Sequence, residues 1–252
     1  PTAASVDGFV STVAAMTWGG QKLSSPAAAP IAVFADPEVF GDAPARLTAS
    51  GVGDLLGKYT ALLDWRIARI LTGEEICPEI YGLMEKALGR LGGLLEETAA
   101  GQLSVRSEKY TTLFMECLIL AGLSMQLQGN SRPASGAEHH LSHFWEMHVI
   151  NKPTDALHGE QVGVAALMLT RYCHAMRDYD FMRPVNLAAT FDRSYLEPVY
   201  GDLTDGILRE NLTDGEVSLS PLAFVPDAEK AEKVRAEIDS LISPEALERL
   251  LR

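Results

Sequence analysis

Apolar residues change their spacing near residue 52. Between residues 52 and 71, Leu, Ile and Tyr recur at three- and four-residue steps, which is typical of an amphipathic helix, and Gly73 follows where such a helix would end. The same periodicity predicts further helices over residues 78–98, 106–127, 136–149, 157–178, 189–209, 228–242 and 244–252. From about residue 47 the chain is therefore predicted to be a helical bundle.

The first 46 residues carry a different pattern. They are rich in Pro, Gly, Ala and Ser, and they contain two short β-like runs, residues 14–18 and 30–35, separated by the turn-forming pair Gly19-Gly20. This composition predicts the edge of an α/β layer ahead of the bundle. The fold class that follows is mainly α, with a short α/β segment at the N-terminus.

Composition and charge exclude several functions. A chain of 252 residues that is 47% hydrophobic can bury a real core. Its formal net charge of −13 argues against nucleic-acid binding, because phosphate backbones are held by clustered Lys and Arg, and no such cluster occurs. Cys77, Cys117 and Cys173 are widely spaced and odd in number, so a disulfide framework is not expected. We find no secretory signal and no membrane span in the sequence, and we expect a cytoplasmic protein.

Histidines cluster in one part of this acidic chain. Four of the six fall between residues 139 and 148, and a fifth, His158, follows after one loop. On a helix His139 and His143 share a face, whereas His140 is turned about 100° from His139. His158 would open the next helix, so two neighbouring helices can supply one imidazole each. A metal role and an ordinary hydrogen-bonded role both remain open for these side chains.

A catalytic divalent metal usually takes three protein ligands and keeps one position open, and a carboxylate would complete the set. Asp54 is the best candidate, because Gly51-Val52-Gly53-Asp54 places a lone acid at the start of a strongly apolar helix. The alternative is that Asp54 only satisfies backbone donors at a helix N-terminus. Spacing alone leaves both interpretations open.

Four segments in the same order resemble one known family. They are PTAASVDG (residues 1–8), GVGDLLGKY (51–59), SRPASGAEH (131–139) and LHGEQV (157–162). Together they resemble the glycerol-1-phosphate dehydrogenase family, which belongs to the wider group of iron-dependent alcohol dehydrogenases and glycerol dehydrogenases. The resemblance covers residues 1 to about 165 and is weaker beyond about residue 180.

The resemblance implies a metal site and roles for its neighbours. Asp54, His139 and His158 would be the ligands of one divalent metal. Because nitrogen and carboxylate donors suit several metals, its identity is left open among zinc, nickel and iron. His143 would lie near the nicotinamide and the substrate and act catalytically, together with Lys58. In addition, Thr2, Ser5 and Asp7 would lie against the dinucleotide, with Asp7 also contacting the polyol.

The implied reaction is NAD(P)-linked interconversion of dihydroxyacetone phosphate and sn-glycerol 1-phosphate by a metal-dependent oxidoreductase, which we expect to be a homo-oligomer. Arg132, in the loop before His139, is the nearest cation that could hold the phosphate. The alternative is that it is a loop arginine that caps a carbonyl or pairs with a surface acid. The alternatives are a glycerol dehydrogenase acting on unphosphorylated polyol, a 3-dehydroquinate synthase-like lyase, and a non-catalytic helical fragment.

The chain departs from the family in one respect. Members begin with an α/β nucleotide-binding domain that contains a glycine-rich phosphate loop, but no GxGxxG occurs here. We therefore expect residues 1–46 to be the remnant or edge of that domain, and residues 47–252 to be the helical metal-binding catalytic domain. On this expectation the chain alone could hold metal and yet bind NAD(P) poorly.

Overall fold

The computed structural model describes residues 1–18, 21–147, 152, 154–182, 192–213, 216–217 and 227–252. Within these ranges the protein is mainly helical, which confirms the predicted fold class. The helices are α1 (Pro37–Gly41), α2 (Ala45–Leu56), α3 (Lys58–Thr72), α4 (Pro78–Ala99), α5 (Glu108–Gln128), α6 (Ala137–Trp145), α7 (His158–Met176), α8 (Arg193–Tyr200), α9 (Thr204–Asn211), α10 (Ala228–Ser240) and α11 (Pro244–Leu251). Short antiparallel strands pair as β1 (Val13–Trp18) with β2 (Gln21–Pro26) and as β3 (Leu212–Thr213) with β4 (Glu216–Val217).

The core lies between α4 and α5 and extends to α2 and α3. Leu91 of α4 and Phe114 and Leu118 of α5 are completely buried, as are Leu55 of α2 and Trp65 of α3. By length and composition α5 could cross a membrane, since its most apolar window has a mean hydropathy of 1.3, but 56% of that window is buried inside the protein. A core helix of a globular bundle has the same properties.

Small residues bring α2 and α7 into backbone contact. A Cβ atom on Gly53 would overlap the carbonyl oxygen of Gly159, and one on Gly159 would overlap the carbonyl oxygen of Ser50. Ser50 also accepts the Gly159 N–H on its hydroxyl oxygen, at 3.2 Å. Because no side chain separates the two helices at this crossing, the last turn of α2 lies beside the first turn of α7.

Glycines also seat the N-terminal segment on the bundle. A Cβ atom on Gly51 would overlap the carbonyl oxygen of Ala4, and one on Gly122 of α5 would lie 2.6 Å from the carbonyl oxygen of Asp7. Ala4 and Asp7 are both buried as a result. The segment therefore brings Asp7 to the end of α2.

The predicted second strand is misplaced. Only two residues separate Trp18 from Gln21, so residues 21–26 pair with β1 in antiparallel register. Residues 30–35, which are described throughout, form no strand, and Ile31 and Phe34 are 106% and 87% exposed. The apolar character of this run does not reflect burial.

Two helix predictions also need correction. The division into residues 1–46 and 47–252 stays a prediction. The periodic stretch from residue 52 is the end of α2 followed by α3, and α2 begins at Ala45. Gly73 does end α3, in the left-handed conformation at φ 77°. The predicted helix over 189–209 consists of α8, a 3₁₀ turn and α9, and its residues 189–191 lie outside the described part. The three cysteines are free, as expected.

Candidate metal centre

Asp54 lies in the last turn of α2 and is completely buried. Its Oδ2 atom accepts the backbone N–H of Asp7 at 3.0 Å, and its Oδ1 atom accepts a hydrogen bond from Lys58 Nζ at 2.8 Å. Lys58, also completely buried, forms a second ion pair with Asp7 Oδ2 at 2.8 Å. One ammonium group thus links two aspartates from distant parts of the chain. This pairing offsets the cost of burying the three charges.

The pKa values follow from this pairing. Burial alone would raise the pKa of Asp54, but the Lys58 ammonium and the hydrogen bond from His139 lower it well below its usual range. Burial and the neighbouring Asp54 raise the pKa of Asp7. Burial lowers the pKa of Lys58, but the carboxylates of Asp54 and Asp7 outweigh this effect and raise it. Lys58 therefore stays charged.

His139, in the first turn of α6, connects this pair to a second carboxylate. Its Nε2 atom lies 3.3 Å from Asp54 Oδ1, and its Nδ1 atom lies 2.7 Å from Glu138 Oε1. Burial and Lys58 lower its pKa, but the hydrogen bonds to Asp54 and Glu138 outweigh them and raise the pKa of His139 to about 9. Without metal this imidazole is therefore protonated at neutral pH.

Glu138 is held on both of its oxygens. The hydroxyl of Thr60, on α3, donates to Oε2 at 2.7 Å, and the backbone N–H of Gly136 donates to Oε1 at 2.7 Å. Glu138 is completely buried, and its hydrogen-bond partners keep its pKa low although burial opposes this. The neighbouring N–H of Ala137 donates to Asp64 Oδ2 at 2.6 Å, so side chains from two helices satisfy the N-terminus of α6.

His158 is the first residue of α7, as its position in the sequence predicted. Its Nδ1 atom lies 2.6 Å from Glu146 Oε1, at the C-terminal end of α6. The ring centroid of His158 lies 5.4 Å from that of His139 and 5.4 Å from that of His143. The three imidazoles therefore form one group, and the pair His139 and His143 does share a face of α6.

Donor atoms of Asp54, His139 and His158 all lie within 4.8 Å of one another, so the structure brings together the three predicted metal ligands. The 3.3 Å between His139 Nε2 and Asp54 Oδ1 suits two donors on one ion, because bonds of about 2.1 Å place such donors about 3 Å or more apart. A second set, His143, Glu146 and His158, meets the same 4.8 Å criterion.

The charge of the centre also favours a divalent cation. Among the described residues of the centre, four carboxylates face one ammonium group, that of Lys58; the carboxylates are those of Asp7, Asp54, Glu138 and Glu146. The same negative excess lets His139 keep a proton despite burial. A cation would neutralise this excess in the proton's place, and the donor set therefore fits a divalent metal.

The remaining predicted site residues lie at different distances from the centre. Asp7 and Lys58 are part of it. Ser5 is half-buried beside α2, where its carbonyl oxygen accepts a hydrogen bond from Ser50 at 3.2 Å, whereas Thr2 is exposed. Arg132 is not brought into the group, because its Nε and Nη2 atoms donate to the two carboxylate oxygens of Glu74 at 2.9 Å.

Sequence reasoning assigned no role to Glu138 or Glu146. The first is adjacent to a predicted ligand, and the second follows His139 by seven residues, which is two helical turns and returns to the same face. The seven-residue spacing from His139 was the feature of the sequence that could have indicated Glu146. His140 is exposed, and His148 lies outside the described residues.

The chain is similar in sequence to several known proteins. Residues 1–44 match the family model described as iron-containing alcohol dehydrogenase. A glycerol-1-phosphate dehydrogenase [NAD(P)+] from Bacillus licheniformis is 42% identical over 207 residues, which are 82% of this chain and 49% of that protein. The one from Geobacillus stearothermophilus is 34% identical over 249 residues, or 98% of this chain and 57% of that protein. The alignment with the Geobacillus stearothermophilus protein covers both the centre and the segment that carries Asp7.

A solved structure matches the fold. Glycerol dehydrogenase from Schizosaccharomyces pombe aligns over 99% of this chain and 63% of its own, with a TM-score of 0.51 and 18% sequence identity. The fold is thus shared with that glycerol dehydrogenase. In sequence the chain is similar to the glycerol-1-phosphate dehydrogenases, and the resemblance drawn from four motifs is confirmed. The chain spans about half the length of the curated relatives it matches.

Proposed function

We propose that this chain forms the metal-binding part of an sn-glycerol-1-phosphate dehydrogenase, which interconverts dihydroxyacetone phosphate and sn-glycerol 1-phosphate with NAD(P). The observation that carries the proposal is the convergence of Asp54, His139 and His158, from three helices, beside Asp7. The names of the relatives that are 34% and 42% identical support this substrate and this cofactor.

Asp54, His139 and His158 would hold one divalent ion, which we propose is zinc, nickel or iron. When bound, such an ion supplies Lewis acidity that polarises a carbonyl oxygen and stabilises the alkoxide formed by hydride arrival. Lys58 keeps Asp54 ionised and fixes its orientation, so that the carboxylate remains a ligand. Because Lys58 is completely buried, its contribution to catalysis would be made through Asp54 and Asp7.

His143 would exchange a proton with the substrate oxygen. Its ring centroid lies 5.4 Å from that of His158 and 6.1 Å from that of His139, so a substrate bound beside these imidazoles would lie within its reach. An imidazole can donate and accept protons near neutral pH, which suits reversible carbonyl reduction.

The N-terminal segment would face the dinucleotide and the polyol. Asp7 enters the centre through its backbone N–H and its carboxylate, and it would meet the polyol there. Thr2 and Ser5 precede it and would lie along the dinucleotide. Arg132 would have to leave Glu74 before it could hold a phosphate group. We further propose that the protein is cytoplasmic and homo-oligomeric.

The test is a comparison of two carbonyl substrates. The full-length protein, reconstituted with zinc, nickel or iron, should oxidise NADH or NADPH much faster with dihydroxyacetone phosphate than with dihydroxyacetone. The opposite order would overturn the proposal in favour of a glycerol dehydrogenase. Failure to bind any of the three metals after reconstitution would remove the basis of both activities.

A further inference from the structure

We propose that Glu138 and Glu146 are positioning residues, each of which holds the Nδ1 atom of one metal-binding histidine so that its Nε2 atom faces the ion. The inference rests on the proposed metal site. It concerns residues for which neither the sequence motifs nor the relatives supply a role. The two carboxylates lie at opposite ends of α6 and act on histidines of two helices.

The first pair is Glu138 with His139. A carboxylate can only accept a hydrogen bond, so the Nδ1 atom at 2.7 Å from Glu138 Oε1 must carry a proton. When the imidazole loses its other proton, the lone pair is therefore left on Nε2, the atom that lies 3.3 Å from Asp54 Oδ1. The contact selects the tautomer that can bind a metal beside Asp54.

The second pair, Glu146 with His158, repeats this arrangement. Glu146 Oε1 lies 2.6 Å from His158 Nδ1, which must again be the protonated atom. The lone pair of the neutral ring is then on Nε2. The side chain of Glu146 is 14% exposed, so this contact is partly shielded from water.

The short distances argue against Glu138 and Glu146 as ligands. Two donors on one ion, with bonds of about 2.1 Å, lie about 3 Å or more apart. The 2.6 Å from Glu146 to His158 Nδ1 and the 2.7 Å from Glu138 to His139 Nδ1 are hydrogen-bond distances instead. The atoms in these two contacts therefore do not bind one ion together, and the Nε2 atoms of both histidines remain for the metal.

Glu138 is itself fixed from α3. The Thr60 hydroxyl and the Gly136 N–H, each at 2.7 Å, leave its buried carboxylate little freedom to rotate. A Cβ atom at position 136 would lie 2.8 Å from Ala61 Cα and 2.9 Å from Glu138 Oε2, so the loop must approach closely through a glycine. The orientation of His139 is thus set by a chain of contacts that begins on a neighbouring helix.

The experiment measures the affinity for Zn²⁺ by chelator competition in purified wild-type protein and in three variants. Glu138→Gln and Glu146→Gln keep the side-chain shape but remove the charge, and each should weaken zinc binding about 10- to 100-fold. Glu116→Gln is the matched control, since Glu116 is an exposed residue of α5 paired with Arg90. It should bind zinc within about twofold of wild type.

Two further measurements separate positioning from folding. The thermal midpoint without metal shows whether a variant has lost stability, so a weaker zinc affinity at an unchanged midpoint is assigned to positioning and not to folding. In zinc-loaded wild-type protein, ¹⁵N NMR should show His139 and His158 protonated at Nδ1, and each Gln variant should alter the signal of its own partner histidine only.

The outcomes are distinct. Zinc affinity within about twofold of wild type in both Gln variants would overturn the inference. If Glu146→Gln removed zinc as completely as His158→Ala, Glu146 would be a ligand and its positioning role would be wrong. If His158→Ala itself left zinc binding unchanged, the proposed metal site would fail, whatever the Gln variants did.

Discussion

Gly53 of α2 lies directly against the backbone of Gly159 of α7, with no room for a Cβ atom between them. This contact sets the distance between Asp54, which follows Gly53, and His158, which precedes Gly159. Gly53→Ala should force the helices apart and lower the free energy of unfolding by about 1–3 kcal/mol, as overpacking does. It should also weaken zinc binding, because two ligands would separate. Denaturant unfolding and zinc titration measure the two effects.

Gly89→Ala is the control for that substitution. Gly89 is an exposed residue within α4, and a Cβ atom there would meet nothing within 4 Å. This variant should gain about 0.5–1 kcal/mol, since alanine favours a helix interior over glycine. If Gly53→Ala and Gly89→Ala shifted stability in the same direction and left zinc affinity equal, the close approach of α2 and α7 would not position the ligands.

Lys58 should make a large contribution to folding at neutral pH. In metal-free protein, Lys58→Met leaves Asp54 and Asp7 buried without their ammonium partner, which should lower the free energy of unfolding by about 3–5 kcal/mol. Urea unfolding at pH 7 in the presence of a chelator measures the loss. The control is Lys109→Met, which removes an exposed ion pair with Glu97 and should lower stability by less than about 1 kcal/mol.

The loss in Lys58→Met should shrink in acid. In wild-type protein the lowered pKa of Asp54 means that its ionised form stabilises the fold above its unfolded pKa, and this is lost only as the pH falls through the folded value. Without Lys58, both carboxyls lose the ammonium group that lowers their pKa, so the pKa of each rises and protonation relieves the variant as the pH falls. A difference from wild type that grew between pH 7 and pH 5 would contradict this account.

The fold was predictable from the sequence where periodicity reflects burial. The apolar spacing of α4 and α5 matches helices whose inner faces form the core, and Gly73 ends α3 as its position indicated. The run at residues 30–35 misled because apolar character alone does not distinguish buried residues from exposed ones such as Ile31. Pairing in the hairpin is instead determined by the two-residue connection after Trp18.

The centre was predictable only in part. Spacing placed His139 and His143 on one face and His158 at a helix start, and both features are present. The partners of Asp54 could not be derived, because its contact with Asp7 spans 47 residues and depends on how α2 meets the N-terminal segment. Sequence position likewise could not show that Arg132 would pair with Glu74.

The ligand assignment predicts that substitutions at two histidines of the cluster, His158 and His140, have different effects on zinc binding. Asp54→Ala and His158→Ala should each abolish stoichiometric zinc binding, since each removes one of three donors. His140→Ala should retain it, because His140 is exposed on the same helix that carries His139. Elemental analysis after dialysis against zinc gives the bound equivalents. Equal zinc content in the His140→Ala and His158→Ala proteins would show that the assignment within this cluster is wrong.

Zinc affinity should rise with pH across the neutral range. The pKa of His139 is raised to about 9 in the metal-free centre, so below that pH a proton occupies the Nε2 position that the metal needs. Binding must displace this proton, and the apparent affinity should fall about tenfold for each pH unit below 9 from this group alone. Isothermal titration with Zn²⁺ in buffers of different ionisation enthalpy counts the protons released. Zinc affinity that stayed constant between pH 6 and pH 8, with no proton release, would show that His139 is not a ligand.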